Sequence, residues 1–397
     1  MKKRLRLITQ AIVLASAMIP LFSADWGLEL SNEGGIQDAG EFSLMTDHKE
    51  TFWMTFPFNR KNTANLAIEG SLYASLPAGS EDLTYFADLD LFRFSAAPVN
   101  KQGFKFSFDA GRIPVSDATG FILNQKIDGM ELRFSFPFGN IDFSSGYTGL
   151  LNARSSKSVI TADDGIDAVS DDIYAFGSKR VIGKVIIQIP QAIGNIDFVA
   201  EGVGQYDLRR YFTSSWQEII DTAYGTISLS GPMMNKMYYS LTGTYQTGIQ
   251  ELADDGQASE NSLLAAARLD LFPAKGNQLF AQFIYSPAPN DFFSGYIPIT
   301  VQTAGNLFAG GYANLMRASA GWNFNPVKSF NLDFGGKVFM NSGETATQSG
   351  TYNATEITGG ATIKATSDLR FRFDSSVLLP NSQDLQYETS LKAILEL

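Results

Sequence analysis

Gly129-Met130-Glu131-Leu132-Arg133-Phe134-Ser135-Phe136, followed by Pro137-Phe138-Gly139-Asn140 and then Ile141-Asp142-Phe143-Ser144, spells a strand, a tight turn and a second strand. Side chains of an extended chain alternate between two faces. Met130, Leu132, Phe134 and Phe136 therefore fall on one face, and Gly129, Glu131, Arg133 and Ser135 on the other. The Pro-Phe-Gly-Asn cluster supplies the turn chemistry of a hairpin.

Outward from this hairpin the same writing continues in both directions. From about residue 26 to the last residue, segments of roughly ten alternating residues recur about eighteen times with no helical period between them. Trp26–Ser31 and Thr51–Phe58 are expected as the first two strands. Gly34, Gly35 and His48 are expected in the polar connection that joins them. The connections fall into two classes. Short Gly, Pro, Asn and Asp clusters, such as Pro273 to Asn277 and Thr366-Ser367-Asp368, alternate with longer stretches. The longer ones include Pro114–Lys126, Asn152–Ser178 and Ser286–Tyr312. Strict alternation places all short turns at one end and requires an even number of strands. Gly139-Asn140-Ile141-Asp142-Phe143 recurs as Gly194-Asn195-Ile196-Asp197-Phe198, each opening a strand after a short turn. It reads either as a hairpin unit or as chance reuse of a good turn exit.

Alternation alone also describes a secreted β-sandwich, which buries one face of each strand. Charges inside the predicted strands keep almost entirely to one phase, and that phase is rich in Ser, Thr, Gly and Gln. The apolar phase carries aromatics near strand ends: Phe56, Phe104, Phe136, Phe198, Trp322 and Phe330 beside short turns, and Tyr147, Tyr206, Tyr245 and Tyr285 beside long loops. Two aromatic girdles around an apolar belt favour a membrane barrel. A transmembrane antiparallel up-and-down β-barrel of about 18 strands is therefore the expected fold, all-β and occupying residues 24–397. Residues 1–23 are expected to be a cleaved signal peptide. Lys2, Lys3, Arg4 and Arg6 precede the short apolar run Leu7 to Leu21, with small residues at Ser23 and Ala24.

Composition excludes several classes. There is no cysteine and one histidine, His48, so the common zinc sites and Cys/His or Ser-His-Asp catalysis are not written here, and no cofactor, metal or enzymatic activity is expected. The 41 Asp and Glu against 30 Lys and Arg give a formal charge of −11, which disfavours nucleic-acid binding. The acids Asp163, Asp164, Asp167, Asp171 and Asp172 could ligate Ca²⁺, but their spacing is not that of a dedicated loop, and a solvated acidic loop is the simpler reading.

By architecture rather than by any motif, the chain resembles a bacterial outer-membrane porin-type β-barrel. The resemblance implies outer-membrane lipid and the barrel-assembly machinery as partners, short periplasmic turns, long extracellular loops and both termini in the periplasm. The chain departs from that pattern by ending Ile394-Leu395-Glu396-Leu397, where such barrels usually end in an aromatic residue. A homo-oligomer is compatible with the resemblance, although no stretch specifies one.

If the polar phase faces a lumen, the pore-lining candidates are Glu69, Asp88, Asp90, Asp109, Glu131, Arg133, Glu201, Arg268, Arg317, Lys337, Lys364, Arg370, Arg372 and Lys392. Two readings stand. Opposite charges pair across neighbouring strands and only stabilise the wall, or an acidic wall faces a basic one and filters solutes. Ser286–Tyr312 carries Phe292, Phe293, Tyr296, Ile297 and Ile299, more apolar than an exposed loop should be, and is expected to fold inward or to cap the barrel. The expected activity is passive or weakly selective diffusion of small hydrophilic solutes. The competing expectations are a sugar or oligosaccharide channel guided by Arg317, Lys337, Arg370 and Arg372, and a structural or adhesin barrel with a closed lumen.

Overall fold

The structure, a computed structural model, describes residues 24–38, 42–58, 63–76, 83–158, 161, 164–165, 172–211, 219–251, 256–289, 295–344, 352–381 and 384–397. The expected signal peptide, Asp163, Asp167, Asp171, Phe292 and Phe293 lie outside the described residues.

Eighteen strands form one sheet that closes on itself. In chain order they are β1 (Asp25–Asp38), β2 (Phe42–Pro57), β3 (Ala64–Leu76), β4 (Thr84–Lys101), β5 (Phe104–Ser116) and β6 (Asn124–Phe136). Next come β7 (Gly139–Tyr147), β8 (Arg180–Ile193), β9 (Ile196–Asp207), β10 (Ile219–Met234), β11 (Met237–Glu251) and β12 (Gln257–Leu271). The last six are β13 (Asn277–Ser286), β14 (Leu315–Val327), β15 (Phe330–Met340), β16 (Tyr352–Lys364), β17 (Leu369–Pro380) and β18 (Gln386–Glu396). Each strand pairs antiparallel with its neighbour in sequence, and β1 closes the ring on β18 through Glu29 opposite Glu396 and Glu33 opposite Lys392. Closure removes the free first and last edges, so along most of their length the strands find hydrogen-bond partners within the wall, as a span through lipid requires. The short turns gather at one end, together with the first and last strand ends.

The two phases separate as the alternation dictates. On β6, Met130 is exposed outward while Glu131 is buried on the inner face. The outer face carries large apolar side chains, Phe143, Tyr206, Ile227, Tyr245, Phe283, Trp322 and Phe334 among them, all well exposed.

One expectation fails at the first hairpin. Gly34, Gly35 and His48 are not in a loop, because β1 runs on to Asp38, β2 begins at Phe42, and Asn32 pairs with His48. Polar residues on both phases concealed the strands there.

The wall has a seam between β4 and β5. β4 and β5 pair only as far as Phe92 opposite Arg112. Beside that point Gly111 has φ +112°, and a Cβ would lie 2.0 Å from the Phe92 carbonyl oxygen, so only glycine lets β5 turn away here. Arg112 fills the opening. It donates to Leu89 O at 2.9 Å, to Leu150 O at 2.8 Å and through Nε to Asp128 at 2.9 Å. Residues 150–152 and 172–176 complete the seal, with Ala87 N donating to Ile173 O at 3.2 Å and Asn152 Nδ2 to Ala87 O at 2.9 Å.

Beyond the seam the β5–β6 hairpin packs into the barrel interior. Ile113, Val115, Ile122, Leu123 and Ile127 are buried in one cluster with Tyr296, Ile299 and Tyr312 of the 295–314 segment. Inward-facing Ile182, Val203, Tyr224, Leu264, Ile284 and Phe339 of the wall complete it. Each fully buried side chain of this size contributes roughly 1.5–3 kcal/mol, so the cluster holds both loops firmly within the lumen.

Candidate functional site

The candidate site is the lumen where these loops narrow it. The 117–123 loop is shaped by Asp117, whose carboxylate accepts from Thr119 N at 2.9 Å, Ile122 N at 3.1 Å and Leu123 N at 2.8 Å. The nearby wall holds it: Glu201 of β9 accepts from Ala118 N at 3.0 Å, and Lys184 of β8 donates to Ser116 O at 2.9 Å. The 295–314 segment locks onto it through Asn124 N to Thr300 Oγ1 at 2.8 Å and Thr300 N to Ile122 O at 3.0 Å. Burial pushes the Tyr296 phenol well above its ordinary pKa, so it stays a neutral donor and reaches Phe121 O at 3.4 Å.

The same loop is fastened to the far wall by charge. The Glu356 carboxylate, fully buried on β16, accepts from the backbone of Asn306 at 2.8 Å, Leu307 at 2.9 Å and Phe308 at 3.2 Å. Lys337 donates to Glu356 at 2.6 Å and to Asn306 Oδ1 at 3.0 Å. Arg317 donates to Ala304 O at 2.6 Å and to Gln282 Oε1 at 2.9 Å. Phe308 stacks on Phe339 with centroids 4.1 Å apart. Gln246 of β11 accepts from Ile297 N at 2.9 Å, and the Tyr224 hydroxyl of β10 donates to Ile297 O.

The predicted pore-lining residues divide into separate groups. Asp88 and Asp90 of β4 share Lys126, which lies 3.2 Å from Asp88 and bonds Asp90 directly, and Ser155 donates to Asp88 at 2.6 Å. Glu69 lies two strand steps away on the inner face of β3, opposite Trp53. Asp109 and Glu131 both pair with Arg133, at 2.9 Å for Asp109. Arg268 binds Asp270 through two bonds of 2.8 Å and lies 4.5 Å from the Phe280 ring centroid. Arg317 and Lys337 hold the loop, and Glu201 holds its counterpart.

Arg370, Arg372 and Lys392 occupy a different setting on β17 and β18. Their partners are Glu396 at 3.2 Å and Glu29 at 3.7 Å for Arg370, Asp374 at 2.6 Å for Arg372, and Glu33 at 3.2 Å for Lys392. The Arg370 and Arg372 side chains remain 41% and 44% exposed. Lys364 stands directly opposite Arg370 in the β16–β17 register, so these two like charges meet. The expected single track of Arg317, Lys337, Arg370 and Arg372 is thus two arrangements, one buried under a loop and one open.

Several residues that matter were not singled out by sequence. Arg112 and Asp117 sit at a strand end and in a turn, where a charged residue carries no pattern. Lys126 falls in a predicted loop. Phe121-Ile122-Leu123, an apolar run within that loop, was the available signal. In the acidic 161–172 region, Asp164 accepts from Arg180 and lies 3.4 Å from Arg209, which makes it an anchor for buried arginines. No group of metal-ligating side chains occurs among the described residues.

No protein-family model matches the chain, and no curated protein matches it. Solved structures do. The outer-membrane protein OpdK of Pseudomonas aeruginosa superposes with a TM-score of 0.64 at 10% identity, covering 94% of this chain and 98% of that one. OccK5 (OpdH) of the same organism gives 0.58 at 12% identity over 94% and 98%. OprD gives 0.54 at 14% identity over 94% and 95%. At such identities the likeness concerns the fold, a closed antiparallel barrel of 18 strands.

Proposed function

We propose that the chain is an outer-membrane channel through which small hydrophilic solutes diffuse, narrowed by its two inward loops and weakly selective by size and charge. One observation carries this reading. The loops pack against β8 to β16 and reach Ser376 and Leu378 of β17, while the charged side chains nearer the short-turn end of β17, β18 and β1 stay partly exposed. A barrel of this strand number leaves an aqueous lumen unless it is filled, and the described loops leave these charges partly exposed. The similarity to OpdK, OccK5 and OprD supports the same reading.

Along this face Glu29, Glu33, Asp374, Glu388 and Glu396 outnumber Arg370, Arg372 and Lys392. A mild preference for cations follows, because charges lining a narrow aqueous path set its ion preference. In this reading residues 1–23 are removed on export and the strand ends at Asp25 and Glu396 face the periplasm. N-terminal sequencing of the mature protein, with a start near Ala24, tests the first point.

The function itself is tested by planar-bilayer recording of the purified, refolded chain. Discrete conductance steps at modest voltage are the expected outcome. Their absence at every voltage, with the barrel demonstrably folded, would reject a channel and favour a structural barrel.

A further inference from the structure

Trp53 is a large aromatic side chain that faces water rather than lipid. Thr51, two residues before it on β2, points into the lumen, where it bonds Ser71 at 2.9 Å and Ser71 in turn donates to Asp90. The pairing runs on without a break, with Trp53 opposite Gly27 of β1 and Glu69 of β3. The indole is therefore inward, while Phe52 and Met54 are outward. A Cβ at Gly27 would lie 2.6 Å from the Trp53 ring, so the missing side chain makes the room in which the indole lies against the wall. Two other inward aromatics, Tyr224 and Phe339, are buried beneath the loops, but Trp53 is 40% exposed. Its indole N–H has no acceptor among the described residues. Filling the wall does not account for a ring left open to the lumen with a spare donor.

Two carboxylates flank the ring. Glu69 stands directly across from Trp53, and Glu29 is the next inward residue after Gly27 on β1. Glu69 makes no hydrogen bond or ion pair among the described residues, because Lys49 and Lys126 are committed to Asp90 and Asp88 instead. Glu29 has Arg370 at 3.7 Å, a guanidinium that it shares with Glu396 at 3.2 Å. An aromatic ring beside an uncompensated carboxylate attracts a cation twice, through the ring quadrupole and through charge. An inorganic ion that keeps its water gains little from the ring. An alkylated ammonium is weakly hydrated and gains from both. An anionic solute is repelled by Glu29 and Glu69.

We propose that Trp53, Glu69 and Glu29 form a binding station for alkylated ammonium solutes in the short-turn half of the lumen. The indole takes the alkyl groups around the nitrogen, and the two carboxylates balance its charge. The station deepens the channel reading and rests on it for transport, whereas binding itself requires only that the lumen admit the solute.

Tetraethylammonium is the probe. In planar bilayers with potassium chloride on both sides, it is expected to reduce the potassium current. Half-block should need at least ~10-fold more probe in Trp53→Leu, about 1.4 kcal/mol, and about threefold more in Glu69→Gln. Trp53→Phe should keep most of the block, since a phenyl ring retains the quadrupole. Heat-modifiable gel migration shows that each variant still folds. Fluorine NMR of the fluorotryptophan-labelled chain in micelles reads binding without conduction. Of the four tryptophans, the resonance missing from Trp53→Leu is expected to shift with the probe. A shift of that resonance with no conductance step would keep the station and reject the channel reading. Conductance steps with equal block in Trp53→Leu, or no shift of that resonance, would overturn the station. Block by glucose in place of tetraethylammonium, lost in Trp53→Leu, would make the ring a saccharide platform and equally overturn the proposal.

Discussion

Two stretches of the inner wall carry similar residues and do different things. On β14–β16, Arg317, Lys337 and Glu356 are committed to backbone and side chains of the 303–308 segment, and Glu356 is fully buried. On β17, β18 and β1, Arg370, Arg372 and Lys392 meet acids of neighbouring strands and remain exposed. The difference lies in what faces them. Where a loop enters, the wall's charges become its fastenings, because a buried carboxylate needs several donors. Beyond its reach, the charges pair with acids of neighbouring strands and stay partly exposed. The same residue types on the same phase thus fasten a loop in one place and stay partly exposed in the other.

Breaking the fastened side should produce the largest effect. Glu356→Ala leaves three backbone donors and Lys337 without their acceptor, at roughly 1–3 kcal/mol for each stranded group. Release of the 303–308 segment should raise single-channel conductance about twofold or more and add open-channel noise. Unchanged conductance would mean that this loop does not limit the pore. Lys337→Met removes one bond and leaves the backbone donors in place, so its effect should be clearly smaller.

On the open side, the double change Arg370→Glu, Arg372→Glu should leave conductance near its original value and raise the cation-to-anion permeability ratio by about 2–5-fold at 0.1 M salt. Reversal potentials in a salt gradient measure it. A null result would mean that strand-to-strand pairing is the whole role of these arginines. The smallest effect is salt screening. The preference should decline towards unity near 1 M salt, where the Debye length is about 3 Å.

How much of this was legible differs by region for a physical reason. Strands such as β6 and β7 declare themselves because lipid on one side and water on the other force a strict alternation. β1 and β2 do not, since Asn32, His48 and Glu50 put polar groups on the lipid phase and Gly34-Gly35 imitates a turn. The inward fold of the 295–314 segment was foreshadowed by Tyr296, Ile297 and Ile299, side chains that water would not favour. The 117–123 loop gave the same signal more faintly in Ile122 and Leu123. The division of Arg317 and Lys337 from Arg370 and Arg372 had no signature, because all four share a phase and only the path of a distant loop separates them.

In the proposed channel, water and solutes pass beside the loops along the exposed charges of β17, β18 and β1, and not along the wall beneath the loops. Substituted-cysteine recording tests it most directly. In single channels carrying Arg372→Cys, a charged thiol reagent is expected to reduce conductance within seconds. In channels carrying Thr244→Cys, whose site faces inward on β11 but is 0% exposed beneath the loops, the same reagent is expected to have no effect. Rapid modification at position 244 with none at position 372 would contradict the account.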